Sequence, residues 1–130
     1  MATAEDPKFL QWLKKYSLSE SGKWIGEFAW EKVGIKRLPF QKEGIVTAFY
    51  TLLGNQIYIA DDTSDNVFFA TLVHEMKHAH QRHMKGWLLY LLEKTFFRKN
   101  LEKEAEEQEI ASIDWLCEEQ MKEFKKMNTV

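Results

Sequence analysis

Residues 68–78 read FFATLVHEMKH, and this stretch decides the fold because its apolar half predicts a helix that leads into an H-E-x-x-H motif. The spacing of four residues puts His74 and His78 on one helical face, where both imidazoles can bind a single Zn²⁺. Glu75 is the next residue along the helix after His74, close enough to hold a metal-bound water and take its proton. The motif therefore predicts hydrolysis, most simply of a peptide bond. The alternative is an exposed, charged helix on which two histidines are four residues apart by chance.

A catalytic zinc site also needs a third protein ligand and an open position. Cys117, the only cysteine, lies among apolar residues of the last predicted helix, so we expect it in the core. On an ideal helix His80 and His83 lie about 120° and 180° round from His74, and we expect them to be solvated residues that face away from the metal. The third ligand should come from another element, and the last helix is the candidate.

The last helix carries an apolar stripe and a run of glutamates. Glu102, Glu106 and Glu109 are predicted on the same face as the stripe, whereas Glu104 and Glu107 point outward. A carboxylate that faces the core is costly unless it is paired or bound to metal, so any of the first three could be the ligand. The alternative is that the first turns of this helix protrude into water. The stripe consists of Ala105, Ile110, Ile113, Leu116, Cys117 and Phe124.

The glutamates also carry a family resemblance. Residues 102–106 read EKEAE, which matches an E-x-x-A-[D/N] pattern with Glu at the last place. Together with H-E-x-x-H, this pattern resembles the gluzincin metallopeptidases, in which a glutamate from a following helix joins two histidines at the metal. The likeness covers residues 55–115, and the size is similar to minimal gluzincins and to short metallopeptidase-like proteins of phages and mobile elements. Lys77 and His80 depart from the usual pattern, which has an uncharged and a hydrophobic residue at these places.

The resemblance implies a role for each matching residue. It implies that Zn²⁺ is the cofactor, bound by His74, His78 and Glu102, and that Glu75 is the general base. It further implies that Glu106 accepts a hydrogen bond from one of the metal-binding histidines and so orients the ring.

Apolar periodicity, turn residues and glycines divide the rest of the chain into elements. Gly54-Asn55 is a tight hairpin signal between two strand-like runs. Gly34 is predicted to cap one helix and Gly86 to break another. The predicted helices are 7–16, 20–33, the motif helix ending near Lys85, 87–97 and 101–127; the predicted extended segments are 35–39, 44–53 and 56–60, and 98–100 is a predicted turn.

These elements predict an α+β fold. A small, mainly antiparallel sheet should pack on the H-E-x-x-H helix, with the glutamate helix closing the other side of the metal, in a single zincin-like domain over residues 1–130. By resemblance to zincins, the strand at 56–60 would pair with an extended peptide or protein substrate. We expect the apolar helix 87–97 to pack in the core rather than to form a substrate wall or a membrane-touching face.

Composition limits the kinds of partner. The 130 residues carry a net charge of −2, which does not indicate nucleic-acid binding. The lone cysteine excludes an intramolecular disulfide and a multi-cysteine zinc site. Residues 1–7 contain no basic segment that leads into an apolar run, and the longest apolar run, Trp87–Leu92, is too short to span a bilayer. We therefore expect a cytoplasmic protein without stable membrane insertion.

Two rival functions would use the same residues differently. One is a zinc-binding protein without turnover, whose site serves structure or partner recognition. The other is a helical interaction module whose motif is accidental. Substitution of Glu75 by Gln separates the first from an enzyme, and metal analysis separates the second. For an enzyme, Tyr58, Tyr90 and Arg98 are candidates for stabilising an oxyanion.

Overall fold

The H-E-x-x-H motif lies on the first of two long helices, which packs against a small sheet and against the second helix. The computed structural model describes residues 7–28, 30–38, 48–51, 55–60 and 65–128. In chain order the elements are helix α1 (Pro7–Tyr16), two 3₁₀ turns (Lys23–Glu27 and Trp30–Lys32), strands β1 (Gly34–Leu38), β2 (Ala48–Thr51) and β3 (Gln56–Ala60), and helices α2 (Asp65–Phe96) and α3 (Arg98–Asn128). The fold is a small α+β domain, as the sequence predicts.

Helices α2 and α3 form an antiparallel hairpin. Near the start of α2, the side-chain amides of Asn66 and Gln120 exchange two hydrogen bonds of 3.2 and 3.0 Å. Further along α2, the Gln81 amide donates to the Leu101 carbonyl at 2.9 Å, near the start of α3. Because the two helices run in opposite directions, the histidines of α2 lie opposite the glutamates of α3.

Helix α1 packs against the start of α2 through aromatic rings. The Phe9 ring stacks on Phe68 with a centroid distance of 4.6 Å, and Tyr16 meets Phe69 edge to face at 6.1 Å. The predicted helix 7–16 is confirmed, and Phe9, Leu13 and Tyr16 are its buried residues, whereas Leu10 is exposed. Burial of large aromatic side chains is the main favourable term here, at roughly 1.5–3 kcal/mol for a fully buried Phe.

The predicted helix 20–33 is wrong. The structure has two short 3₁₀ turns in its place, which bury Trp24 and Ile25. Gly22 precedes the first turn and lies so close to α1 that an added Cβ would be 2.1 Å from the Tyr16 carbonyl oxygen. Phe28 then has an extended backbone, with φ −145° and ψ 169°, which ends the turn. The apolar spacing in this segment reflects burial of a turn, not a continuous helix.

The sheet has three strands in the order β1-β3-β2. Strands β2 and β3 pair antiparallel, which confirms the predicted hairpin, and Asn55 at the turn has a positive φ of 50°. Residues 44–47 and 52–54 of the predicted hairpin lie outside the described residues. Strand β1 pairs with β3 in parallel and begins at Gly34, which does not cap a helix. The sheet is therefore mixed rather than mainly antiparallel, and it lies against α2 through β2 and β3.

The predicted break at Gly86 is present, but the turn predicted at 98–100 is not. Gly86 has φ 81° and ψ 159°, a conformation that essentially only glycine adopts, and it kinks α2. After the kink the helix continues to Phe96, and α3 begins only two residues later, at Arg98. None of the described helices is both long enough and apolar enough to cross a membrane.

Two predicted buried surfaces are exposed. The buried residues of α3 are Leu101, Ala105, Ser112 and Leu116, whereas Ile110, Ile113, Cys117 and Phe124 of the predicted stripe are exposed. The expectation that helix 87–97 packs in the core is wrong as well, because Tyr90 is the one large apolar residue of that segment that is buried. Helix α3 covers one side of α2 and leaves the outer side of this segment uncovered.

Candidate metal centre

Two imidazoles and one carboxylate meet where α2 faces α3. The Nε2 atom of His74 lies 3.2 Å from one oxygen of Glu102, and the Nε2 atom of His78 lies 3.2 Å from the other oxygen. One potential ligand atom from each residue falls within 4.8 Å of the others. The three residues that the resemblance implies as zinc ligands are thus brought together.

These separations fit a tetrahedral metal. Zinc binds imidazole nitrogen and carboxylate oxygen at about 2.0–2.2 Å, so neighbouring ligand atoms of a tetrahedral site are about 3.3–3.5 Å apart. Each imidazole Nε2 atom lies 3.2 Å from an oxygen of Glu102, close to that edge length, but the two nitrogens approach different oxygens of the carboxylate. With three protein ligands, one tetrahedral position would stay open for water or substrate, as in catalytic rather than structural zinc sites.

The outer nitrogen of each imidazole has its own hydrogen-bond partner. The Nδ1 atom of His74 is 2.8 Å from a carboxylate oxygen of Glu109, and the Nδ1 atom of His78 is 2.9 Å from Oε1 of Gln81. The Gln81 amide nitrogen donates to the Leu101 carbonyl, which turns its oxygen toward His78. Both acceptors favour the tautomer with the proton on Nδ1, so both Nε2 lone pairs point toward Glu102.

A cation between the two rings and Glu102 would fit this arrangement. A neutral imidazole carries one proton, so a ring that donates from Nδ1 has none on Nε2 to offer the carboxylate. Protonating both rings would supply those protons, but burial lowers the pKa of His78 and opposes its charged form. A divalent metal satisfies the two nitrogens and the carboxylate at once.

Glu75 is a buried carboxylate beside this cluster and lines the same cleft. Burial is the main cause that raises the pKa of Glu75 to about 7, opposed by His74 and reinforced by Glu102 and Glu109. A carboxyl that titrates near neutrality can accept and return a proton in the neutral range. A bound dication would lower this pKa and favour the carboxylate form.

The metal cluster opens into a cleft of about 400 Å³. Phe49 and Tyr50 of β2 form part of its wall, and Tyr90, Lys94 and Arg98 come from the ends of the two helices. Among the described residues neither Lys94 nor Arg98 forms an ion pair. The cleft therefore offers aromatic surface, two cations and a phenol beside the candidate metal.

Several predicted site residues lie elsewhere. Glu106 is exposed, and Glu109 in its place contacts His74, so the expected role of Glu106 is wrong. His80 faces away from the metal cluster as predicted, but it is buried and bonds Glu27 at 2.9 Å rather than water. Of the three oxyanion candidates, Tyr90 and Arg98 line the cleft, whereas Tyr58 does not and donates instead to Gln56.

Residues that sequence reasoning missed are Lys94 and the edge strand β2. The predicted substrate strand β3 is the central strand of the sheet, so both of its edges are occupied by β1 and β2. Within the described sheet, β2 is an edge strand, and it contributes residues to the cleft. In β2 Phe49 is exposed and Tyr50 is buried, a difference that two adjacent aromatic residues do not reveal in the sequence.

The candidate metal centre stands on the side-chain geometry of this chain. It is defined by its donor set, by the hydrogen bonds that orient the two imidazoles, and by the buried carboxyl of Glu75 beside them. No family model, curated protein or solved structure matches the chain.

Proposed function

We propose that this chain is a zinc-dependent peptidase of the gluzincin type. The observation that carries the proposal is the convergence of His74, His78 and Glu102 with Glu75 buried beside them. A structural zinc site needs four protein ligands and no base. This cluster has three candidate ligands, opens into a cleft, and lies beside Glu75, whose pKa is raised to about 7.

The chemistry divides between the metal and the chain. When bound, zinc would lower the pKa of a water molecule and polarise the scissile carbonyl. Glu75 takes the proton of the attacking water at a carboxylate oxygen and delivers it to the leaving amine. Glu109 and Gln81 hold the imidazoles in place while this happens. The Tyr90 hydroxyl and the Arg98 guanidinium line the cleft and can donate to the oxygen on which negative charge develops.

The cleft also suggests how a peptide binds. An extended chain can pair through backbone hydrogen bonds with β2, an edge strand of the described sheet, with Phe49 and Tyr50 beneath its side chains. Lys94 and Arg98 add two positive charges to the cleft, which favour substrate segments with a carboxylate. The proposed substrate is therefore an extended polypeptide segment, bound beside β2.

Two measurements test the proposal. Zinc bound to the purified parent, His74→Ala, His78→Ala and Glu102→Ala is measured by mass spectrometry; we expect about one zinc per chain in the parent and a loss in each variant. Cleavage of a peptide library is then compared for the parent, Glu75→Gln and metal-stripped protein. We expect Glu75→Gln to keep zinc and lose cleavage, because only the base is removed.

The outcomes separate the alternatives. Stoichiometric zinc in all three ligand variants would eliminate the metal site. Zinc binding that is normal, with no cleavage of any peptide by the parent, would favour the zinc-binding protein without turnover. Undiminished cleavage by Glu75→Gln would rule out Glu75 as the base.

A further inference from the structure

The second half of α2 presents an apolar surface that nothing in the described structure covers. Its large apolar residues other than Tyr90 are between 41% and 70% exposed. At about 100° per residue, those in the helix span an arc of about 200°, so they form a continuous patch rather than scattered side chains. We call this patch the apolar face; it consists of Trp87, Leu88, Leu89, Leu91, Leu92, Phe96 and Phe97.

A groove runs through the apolar face where α2 meets α3. It has a volume of about 670 Å³, and its walls include Leu89, Leu92, Phe96 and Phe97. A continuous exposed apolar patch with a groove marks a surface that meets another apolar phase.

The charges around the apolar face point to what that phase is. Between residues 82 and 100 the chain has five basic residues and one acidic residue, Glu93, although the whole chain has a net charge of −2. Glu93 is neutralised by Lys85 at 2.6 Å. Among the described residues, Lys94, Arg98 and Lys99 form no ion pair. The segment that carries the apolar face therefore has a net charge of +4 (five basic residues minus one acidic residue) in a chain that is otherwise acidic, and the exposed Lys99 follows the face directly in the sequence.

We propose that the apolar face binds the surface of an anionic phospholipid bilayer. A helix with a broad apolar arc, an aromatic residue such as Trp87 and flanking cations suits the boundary between headgroups and acyl chains. Lys99, which is exposed and lies outside the metal cleft, would lie against anionic headgroups and contribute through the negative surface potential. The helix lies on the bilayer and does not cross it, which agrees with the lack of a spanning helix among the described residues.

A second copy of this chain is the less suitable occupant. A symmetric dimer through the apolar face would place the same cation, Lys99, near its counterpart, and like charges at an interface oppose association. An anionic bilayer satisfies the apolar arc and the positive charge of the segment together.

The position of the apolar face would also orient the molecule. Tyr90, Lys94 and Arg98 lie in or next to the same segment and line the metal cleft. A protein bound through the apolar face would therefore hold the cleft next to the membrane surface. The membrane proposal itself does not rest on the proposed peptidase activity.

The test is sedimentation of the full chain with vesicles of phosphatidylcholine alone or mixed with phosphatidylserine. We expect binding to the mixed vesicles and weaker binding to phosphatidylcholine, with the difference removed by high salt. Leu88→Ser with Leu92→Ser removes two residues from the middle of the arc and should weaken binding more than tenfold. The matched control, Ile110→Ser with Met121→Ser, removes two residues that are equally exposed on α3 and should leave binding unchanged.

A second variant changes only a charge, so the proposal stays testable if Leu88→Ser with Leu92→Ser fails to fold. Lys99→Gln leaves the apolar arc intact and should weaken binding to the mixed vesicles about fivefold, because one cation near an anionic surface is worth about 1 kcal/mol. The proposal is overturned if the parent binds neither vesicle, if both variants bind like the parent, or if the parent is a dimer that Leu88→Ser with Leu92→Ser converts to a monomer without any vesicle binding.

Discussion

Glu109 and Gln81 determine which nitrogen of each imidazole faces Glu102 and the candidate metal position. Glu109 accepts a hydrogen bond from His74 at 2.8 Å, and a carboxylate partner makes an imidazole a stronger donor to a metal. We expect Glu109→Ala to weaken zinc binding by roughly 10–100-fold, the usual effect of losing such a partner. Competition with a fluorescent zinc chelator measures the change.

Glu107→Ala is the control for that measurement, because Glu107 is exposed and lies in the same stretch of α3. Its zinc affinity should equal that of the parent. Equal affinity for Glu109→Ala and Glu107→Ala would contradict the role assigned to Glu109.

The buried Glu75 carboxyl makes the metal-free protein sensitive to pH. Because its pKa is raised to about 7, the folded state retains a proton that the unfolded state releases near pH 4.5. Stability of the metal-free parent should therefore fall as pH rises through this window, by up to roughly 3 kcal/mol from this group. Glu75→Gln cannot ionise and should lack this loss.

Denaturant unfolding of metal-free parent and Glu75→Gln at pH 5 and pH 8 tests the prediction. The variant should gain stability relative to the parent at pH 8, and the gain should shrink at pH 5. Glu107→Gln, an exposed carboxylate, should follow the parent at both values. A difference between parent and Glu75→Gln that does not depend on pH would refute the assignment.

The sequence predicted which residues form the candidate metal cluster but not the hydrogen bond that Glu109 accepts from His74. The i,i+4 histidines and the E-x-x-A pattern pointed to His74, His78 and Glu102, which the structure brings together. Angular projection put Glu106 and Glu109 on one face, but Glu109 is only about 20° from Glu102 whereas Glu106 is about 40° away. A difference of this size depends on how α3 is rotated against α2, and local sequence does not set that rotation.

At the scale of elements, the kink at Gly86 sets the direction of the second half of α2. An added Cβ at Gly86 would contact nothing within 4 Å, so Ala there is opposed by its backbone conformation and not by a clash. We expect Gly86→Ala to destabilise the protein by about 1–3 kcal/mol, measured by denaturant unfolding.

Gly26→Ala is the matched control, because its Cβ would also contact nothing within 4 Å and its φ is not positive. That change should be nearly neutral or slightly stabilising. If the two substitutions had the same effect, the backbone conformation of Gly86 would not be the constraint.

Elements with strong local signals were predicted, and those decided by long-range contacts were not. Helix α1, the β2–β3 hairpin and the break at Gly86 follow from periodicity and glycine. The parallel pairing of β1 with β3 joins residues about 20 positions apart, for which the chain has no local signal. The 3₁₀ turn around Trp24 packs against α2. We attribute the loss of the predicted helix to these long-range contacts, which outweigh the helical spacing of its apolar residues.

At the scale of the whole molecule, we expect bound zinc to stabilise the folded state. The ligands join α2 and α3, and a ligand bound only by the folded state stabilises that state by about 2.7 kcal/mol at a hundredfold excess over its Kd. We expect zinc-loaded protein to melt several degrees above metal-free protein. His78→Ala should show no zinc-dependent change, and coincident melting curves for verified loaded and metal-free parent would contradict the prediction.

The helical hairpin that carries the site has a consequence for how the protein folds. His74 and Glu102 are separated by 28 positions, and neither α1 nor the sheet supplies a ligand. The entropy lost in bringing the ligands together is that of closing one short loop. Helical hairpins depend on local contacts and form faster than sheets built from distant strands. The metal-binding geometry is therefore expected to arise early, so that nascent chains can capture zinc before β1 has paired with β3.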